Sequence, residues 1–250
     1  MNLRQVLVNE NIRLTALEET APSQVDRLTL GMRTENMLLP DLVPGDFGVL
    51  QDSPACLSLS LLLCVLCQVP PERGGLGSPA VFIDGGNSFN PYEVSDVARR
   101  HGLDPKTVLE GVIISRAFTA HQLTSLIMDR LSHAIDKYAA KLALISDITG
   151  PYLDADVPEK EARDVFSKLT LFLSRFSAER KAIIVATHFA RRNSARDMFF
   201  ESTLLGRANV VVRTRGSSVS GLVPGKNPVH KPEAARPPFR GATLSDFMGV

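Results

Sequence analysis

The run Ala80-Val81-Phe82-Ile83, ending in Asp84-Gly85-Gly86, constrains the fold of this chain more than any other stretch. A short apolar run bounded by turn residues reads as a strand buried on both faces, as in a parallel sheet. The pattern returns at Leu142-Ala143-Leu144-Ile145-Ser146-Asp147, and again at Ala182-Ile183-Ile184-Val185-Ala186-Thr187-His188. Ligands of open α/β sheets sit beyond the carboxyl ends of the strands. Three buried strands, each closing on a polar residue, predict one cleft along one sheet edge, with Asp84, Asp147 and His188 at the strand ends.

Further strands are expected at 47–50, 112–115 and 209–213, the last being the final clear strand. Helices are expected between them. One runs from Pro54, at the first helical position behind Ser53 as N-cap, to about Gln68. Others start at Pro91 and behind Asp104-Pro105, and cover 119–138 and 160–176. The 119–138 helix would carry Leu123, Leu126, Ile127 and Leu131 on one face. A short helix is expected at 35–39, ended by Pro40 and the Val43-Pro44-Gly45-Asp46 turn. Strands and helices alternating at this spacing give an α/β fold with a doubly wound, mostly parallel sheet.

Bulk numbers narrow the function. A net charge of +1 gives no global attraction to nucleic acid, so any such binding must be local. Cys56, Cys64 and Cys67 sit in an apolar run and suggest no disulfide framework. Cys64-x-x-Cys67 on an apolar helix reads as a buried packing pair rather than a redox or zinc pair. The first residues lack the apolar run of a signal peptide, and a cytoplasmic setting follows by default. Residues 55–69 are very apolar, but about 15 residues are short for a membrane span of roughly 20. No membrane association is expected.

Four segments are expected: an N-terminal extension over 1–24, a core domain over 25–215, a flexible basic linker over 216–240 and a terminal peptide over 241–250. The linker is rich in Gly, Ser and Pro and sets Lys226, Lys231, Arg236 and Arg240 against Glu233. Apolar residues return only in the last ten positions.

Six segments in order resemble the RecA/RadA recombinase family, in its archaeal RadA/RadB-type branch. Leu28-Thr29-Leu30-Gly31 with Asn36-Met37-Leu38-Leu39 and Pro44-Gly45-Asp46 is similar to the lead-in to the core. Leu66-Cys67-Gln68-Val69-Pro70 is similar to the end of the first core helix. Phe82 to Pro91, Ser115-Arg116-Ala117-Phe118-Thr119, His121-Gln122 and the strand into Asp147 resemble further family segments in the same order. The resemblance covers about residues 28–215 and implies a RecA-like P-loop NTPase fold acting in DNA repair or recombination.

The departures from that family decide the expected activity. A P-loop needs glycines whose backbone N–H groups cradle phosphates, a Lys for the β/γ-phosphates and a Ser/Thr for Mg²⁺. The corresponding loop here is Asp52-Ser53-Pro54-Ala55-Cys56, with no glycine and no lysine, and no Lys precedes Lys106. The position implied for the family's catalytic Glu falls at Gly86, while Asp147 keeps the Mg²⁺-associated position. His188 falls where the resemblance implies a Gln that senses nucleotide state. The expected protein is a non-hydrolysing paralogue that needs no cofactor, with Asp147, Asp84 and His188 as residual nucleotide or metal residues and no catalytic residue. An ATP- and Mg²⁺-dependent enzyme with an unconventional loop is the alternative. Asp147 reads either as holder of a metal-bound water or as a strand-end cap. Asp84, Asp147, Asp154 and Asp156 read either as a carboxylate metal cluster or as separate groups, the last two in a solvated loop.

Two partner surfaces follow. Arg191, Arg192 and Arg196 fall where the resemblance implies a DNA-contacting loop, and can neutralise phosphates. No aromatic-x-x-Ala segment of the kind the family uses to polymerise precedes Phe47, which leaves a filament unsupported and a subunit pairing with an active RadA-type recombinase as an alternative. Gly241 to Met248 resembles the clamp-interacting PIP-box peptide. Leu244 and Phe247 are three apart, so one helical turn aims both at a single apolar pocket, with Met248 in place of the second aromatic. The implied partner is the sliding clamp, PCNA.

Overall fold

The computed structural model of the chain describes residues 27–28, 41–52, 55–189, 194–215 and 218–224. Ser53, Pro54, the helix expected at 35–39, Arg191, Arg192, the N-terminal extension and the tail with Leu244, Phe247 and Met248 lie outside the described residues.

The sheet has seven strands: β1 (Phe47–Gln51), β2 (Ala80–Asp84), β3 (Val112–Arg116), β4 (Leu142–Ser146), β5 (Ile183–His188), β6 (Val210–Arg215) and β7 (Ser218–Pro224). Their order is β3-β2-β4-β5-β1-β6-β7. The first six are parallel, and β7 runs antiparallel to β6. The expected doubly wound, mostly parallel sheet is present. Residues 218–224, expected to begin the linker, are instead this seventh strand, so 209–213 is not the final one. The stretch Ser218-Val219-Ser220-Gly221-Leu222-Val223 alternates without a continuous apolar run, which suits an outer strand beside β6.

The alternation of side chains explains why the central strands read as unbroken apolar runs. Ala80 and Phe82 enter one core and Val81 and Ile83 the other; Leu142 and Leu144 split from Ala143 and Ile145 in the same way. Helices α1 (Ala55–Leu66), α2 (Pro91–Arg100) and α3 (Pro105–Glu110) cover the first face. Helices α4 (Ala120–Ser125), α5 (Leu131–Tyr138), α6 (Glu159–Arg180) and α7 (Ala195–Leu205) cover the second. Asn90, Asp104, Thr119 and Ser194 each accept a hydrogen bond from the first-turn backbone, which fixes where α2, α3, α4 and α7 begin.

The long helix expected over 119–138 is interrupted by a π-helical turn at Leu126–Arg130. The buried residues Leu123, Ile127, Leu131 and Ile135 fall at steps of four. In a regular α-helix each such step drifts roughly 40° around the axis. The wider π turn takes that drift back and keeps all four on the sheet. None of the helices among the described residues is long and apolar enough to cross a membrane.

Candidate functional site

The carboxyl ends of β2, β4, β5 and β1 lie side by side in the sheet, so Asp84, Asp147, His188 and Gln51-Asp52 share one rim. Their environments differ. Asp84 is wholly buried. Its carboxylate accepts hydrogen bonds from the Ser88 and Phe89 backbone N–H groups at 2.9–3.0 Å, from Ser88 Oγ at 3.1 Å and from Ser146 Oγ at 2.7 Å. Arg116 Nε, on the neighbouring strand, stands 3.6 Å away. Burial pushes the Asp84 pKa up, but these hydrogen bonds outweigh it and hold the group below its ordinary value. Asp84 is therefore an ionised knot tying the 85–89 loop to β4, with its lone pairs already committed.

Asp147 follows β4 with its backbone in the left-handed region, φ 45°. Its N–H donates to Thr187 Oγ1 at 2.9 Å, across to β5. Two glycines make room for its side chain. A Cβ on Gly150 would lie 2.2 Å from Asp147 Oδ2, and one on Gly86 3.0 Å from Asp147 Cβ. Gly86, the position implied for the catalytic Glu, is thus a packing neighbour of Asp147.

His188 is wholly buried, with Nδ1 2.8 Å from Thr149 Oγ1. Nε2 has no hydrogen-bond partner among the described residues. Desolvation lowers its pKa and keeps the ring neutral, against the opposing fields of Asp197, Glu201, Asp147 and Asp52. Asp154 and Asp156 are exposed in the following loop and do not join Asp84 and Asp147. Among the described residues no group of three or more His, Cys, Asp or Glu is placed to hold a metal.

The nucleotide site of a P-loop fold would lie between β1 and α1. Only three residues, 52–54, separate Gln51 from Ala55. Asp52, at φ 89°, donates its N–H to the His188 carbonyl, accepts from Gln51 Nε2 at 3.3 Å, and lies 3.9 Å from Arg213 Nε. A three-residue connection with a carboxylate and neither glycine nor lysine cannot wrap a triphosphate. The residues present do not fit ATP and Mg²⁺ held in the P-loop manner.

Arg196 departs from its expected role at a DNA surface. Its Nη2 donates to the carbonyls of Tyr152 and Val157 at 2.6 and 2.9 Å, clasping the loop after β4 onto α7. Tyr152, in that loop, is wholly buried against Phe166 and Phe200, with its hydroxyl 2.6 Å from Thr124 Oγ1. Cys64 and Cys67 are buried free thiols, and desolvation raises the pKa of both. Sequence reasoning did not find Ser88, Ser146, Thr149 or Arg213 as parts of this rim. Ser146 alone carried a signal, as a hydroxyl interrupting an apolar strand just before Asp147.

A RecA-like core, a mostly parallel sheet with helices on both faces, defines the class. The family model described as Rad51 matches residues 47–195, from the start of β1 into α7, and the chain belongs to that family. It is similar to the DNA repair and recombination protein RadA of Cenarchaeum symbiosum (strain A), 35% identical over 89 residues, which are 35% of this chain and 22% of the relative. It is also similar to the DNA repair protein RAD51 homolog of Solanum lycopersicum, 32% identical over 90 residues, 36% of this chain and 26% of the relative. The matched stretches thus span about a quarter of either relative's length.

Proposed function

We propose that this chain is a non-hydrolysing Rad51-family paralogue that acts as a cytoplasmic adaptor in DNA repair or recombination, tethered to the sliding clamp by residues 241–250. The observation that carries the first part is the connection between β1 and α1, three residues long and acidic where phosphate would bind. Family membership supports the setting in DNA repair. The clamp tether rests on Leu244, Phe247 and Met248 in the sequence, and the DNA contact on Arg191 and Arg192.

One observation favours a second reading, a subunit that pairs with a RadA-type recombinase. Strand β3 is an edge strand, paired only with β2 among the described residues. Ile114 on it is 41% exposed and Phe118 just after it 68%. An open strand edge with apolar side chains can accept a strand from a partner.

Calorimetry on the full chain separates the enzyme from the adaptor. Titration with ATP and Mg²⁺ should give no saturable heat, and turnover should not exceed background. Turnover that Asp147→Ala abolishes would overturn the reading. Titration with the clamp should give micromolar affinity, the scale expected when two buried apolar side chains offset the ordering of a tail. That heat should vanish in Leu244→Ala/Phe247→Ala; equal binding by both chains removes the clamp from the proposal.

A further inference from the structure

The two ends of the sheet carry opposite charge. At the strand carboxyl ends stand Asp52, Asp84, Asp147, Asp154, Asp156, Asp197 and Glu201 against Arg116, Arg196, Arg213 and Arg215. At the amino ends of β4, β5 and β6 the balance reverses. Lys137, Lys141, Arg180, Lys181 and Arg207 stand against Asp46, Asp136 and Glu179; Arg180 is paired with Asp136, and the buried Asp46 accepts hydrogen bonds from Asn209 Nδ2 and the Val43 N–H.

The backbone holds these cations in one row. Ile183 N donates to the Lys141 carbonyl, and Gly45 N to the carbonyl of Ala182, the residue after Lys181. Asn209 N donates to the Phe47 carbonyl, which sets Arg207 beside the start of β1. Strands β4, β5, β1 and β6 are consecutive neighbours, so the row spans three strand spacings, about 14 Å. Lys137, Lys181 and Arg207 are all exposed, and none has an ion-pair partner among the described residues. Lys137 lies 5.1 Å over the ring of Tyr138, itself 38% exposed. Helix macrodipoles favour cations at the ends of α5 and α6. Lys181 also takes a φ of 52°, which suits glycine, so its cation is kept against a conformational cost.

We propose that this amino-end rim is a nucleic-acid backbone-binding surface, with Lys137, Lys181 and Arg207 as its phosphate contacts and Tyr138 as an aromatic flank. Each strand of duplex DNA carries about one charge per 3.4 Å of axis, so a 14 Å row meets roughly four phosphates of the strand that it follows. The row places cations at strand spacing and has no base-reading pocket, so binding is independent of sequence and steeply salt-dependent. The inference rests on the DNA-repair reading only for its choice of nucleic acid among polyanions.

The test is fluorescence anisotropy of labelled 30-mer single-stranded and duplex oligonucleotides against the full chain, from 25 to 200 mM salt. Lys137→Gln/Lys181→Gln/Arg207→Gln should lower affinity at least tenfold at the lowest salt and flatten the logarithmic salt slope by about 2–3 on duplex. Lys160→Gln, an exposed lysine in the first turn of α6 and thus at the far end of that helix from Lys181, should leave the slope within one unit of wild type. An unchanged slope in the triple variant, an equal loss of binding in Lys160→Gln, or no binding by the wild-type chain each overturns the proposal. Equal wild-type affinity for polyglutamate of matched length reassigns the rim to an acidic protein and overturns the nucleic-acid claim. The clamp titration is independent, so failure here leaves the adaptor reading standing.

Discussion

At the strand carboxyl ends, polar groups are turned on one another; at the amino ends, they are turned on solvent. Asp84 binds Ser88, Phe89 and Ser146, Asp52 lies between Gln51 and Arg213, and Arg196 holds two loop carbonyls. Lys137, Lys181 and Arg207 make no such commitments among the described residues. Asp84 and Arg196 use their polar atoms on structure, while His188 Nε2 at the same edge keeps no hydrogen-bond partner among the described residues. The contrast teaches that one end of the strands can carry an internal hydrogen-bond network around Asp84 while the exposed cations lie at the other end of the same strands.

The largest effect should come from removing the knot. Asp84→Ala would strip the acceptors from two backbone N–H groups and two hydroxyls and leave Arg116 without its partner. Hydrogen bonds to a charged group are worth about 1.5–3 kcal/mol each, and part of that returns when water enters. A loss of at least about 3 kcal/mol in urea unfolding is expected. Lys137→Gln at the amino end should stay within about 0.5 kcal/mol of wild type, as exposed substitutions do. Comparable costs for the two would break the contrast between a structural and a solvent-facing rim.

Most of this scaffold could be read from periodicity, because strands buried on both faces announce themselves as unbroken apolar runs and the helices by caps such as Asp104 and Thr119. What escaped was set by tertiary pairing. The π turn at Leu126–Arg130 depends on keeping Ile135 over the sheet, which no local propensity encodes. Strand β7 pairs only with β6, and Gly, Ser and Pro around it read as linker. At the rim, the positions of Asp84, Asp147 and His188 at strand ends are legible in the apolar runs that precede them. Their jobs were not legible, since the Asp84 network needs Ser146 from a strand 62 residues away. The contacts of Arg196 Nη2 with the Tyr152 and Val157 carbonyls were not legible either, because basic composition does not reveal whether a guanidinium faces water or a carbonyl.

Titration sharpens the comparison next. The folded pKa of His188 lies below its unfolded value, so between the two the unfolded chain binds more protons. Stability should therefore fall as pH drops below about 6.5 and level off beneath the folded pKa. The slope is at most about 1.4 kcal/mol per pH unit for one proton. Asp84 acts later with the same sign: its pKa is depressed in the fold, so its contribution is full above about 3.9 and is lost as pH falls through the folded value. Urea midpoints at pH 7.5, 6 and 5 should decline in the wild type, and His188→Gln should flatten that decline. A parallel decline in the variant would assign the pH dependence to groups other than the buried imidazole.

The smallest effect separates stability from binding at the amino end. Ala139 and Lys181 close α5 and α6 in the left-handed conformation, at φ 50° and 52°. A residue with a Cβ pays roughly 1 kcal/mol there relative to glycine, partly offset because glycine is freer when unfolded. Both Ala139→Gly and Lys181→Gly should accordingly raise stability by a few tenths to about 1 kcal/mol in urea unfolding. They should part in nucleic-acid binding. Ala139→Gly removes no charge and should leave the salt slope unaltered. Lys181→Gly removes one cation from the row and should reduce the slope by a little under one unit on duplex. A chain that becomes more stable yet binds less well would show that the lysine is kept for its charge rather than for its fit to the helix end. If Lys181→Gly is stabilised and binds with an unaltered slope, the amino-end row is a by-product of helix termination.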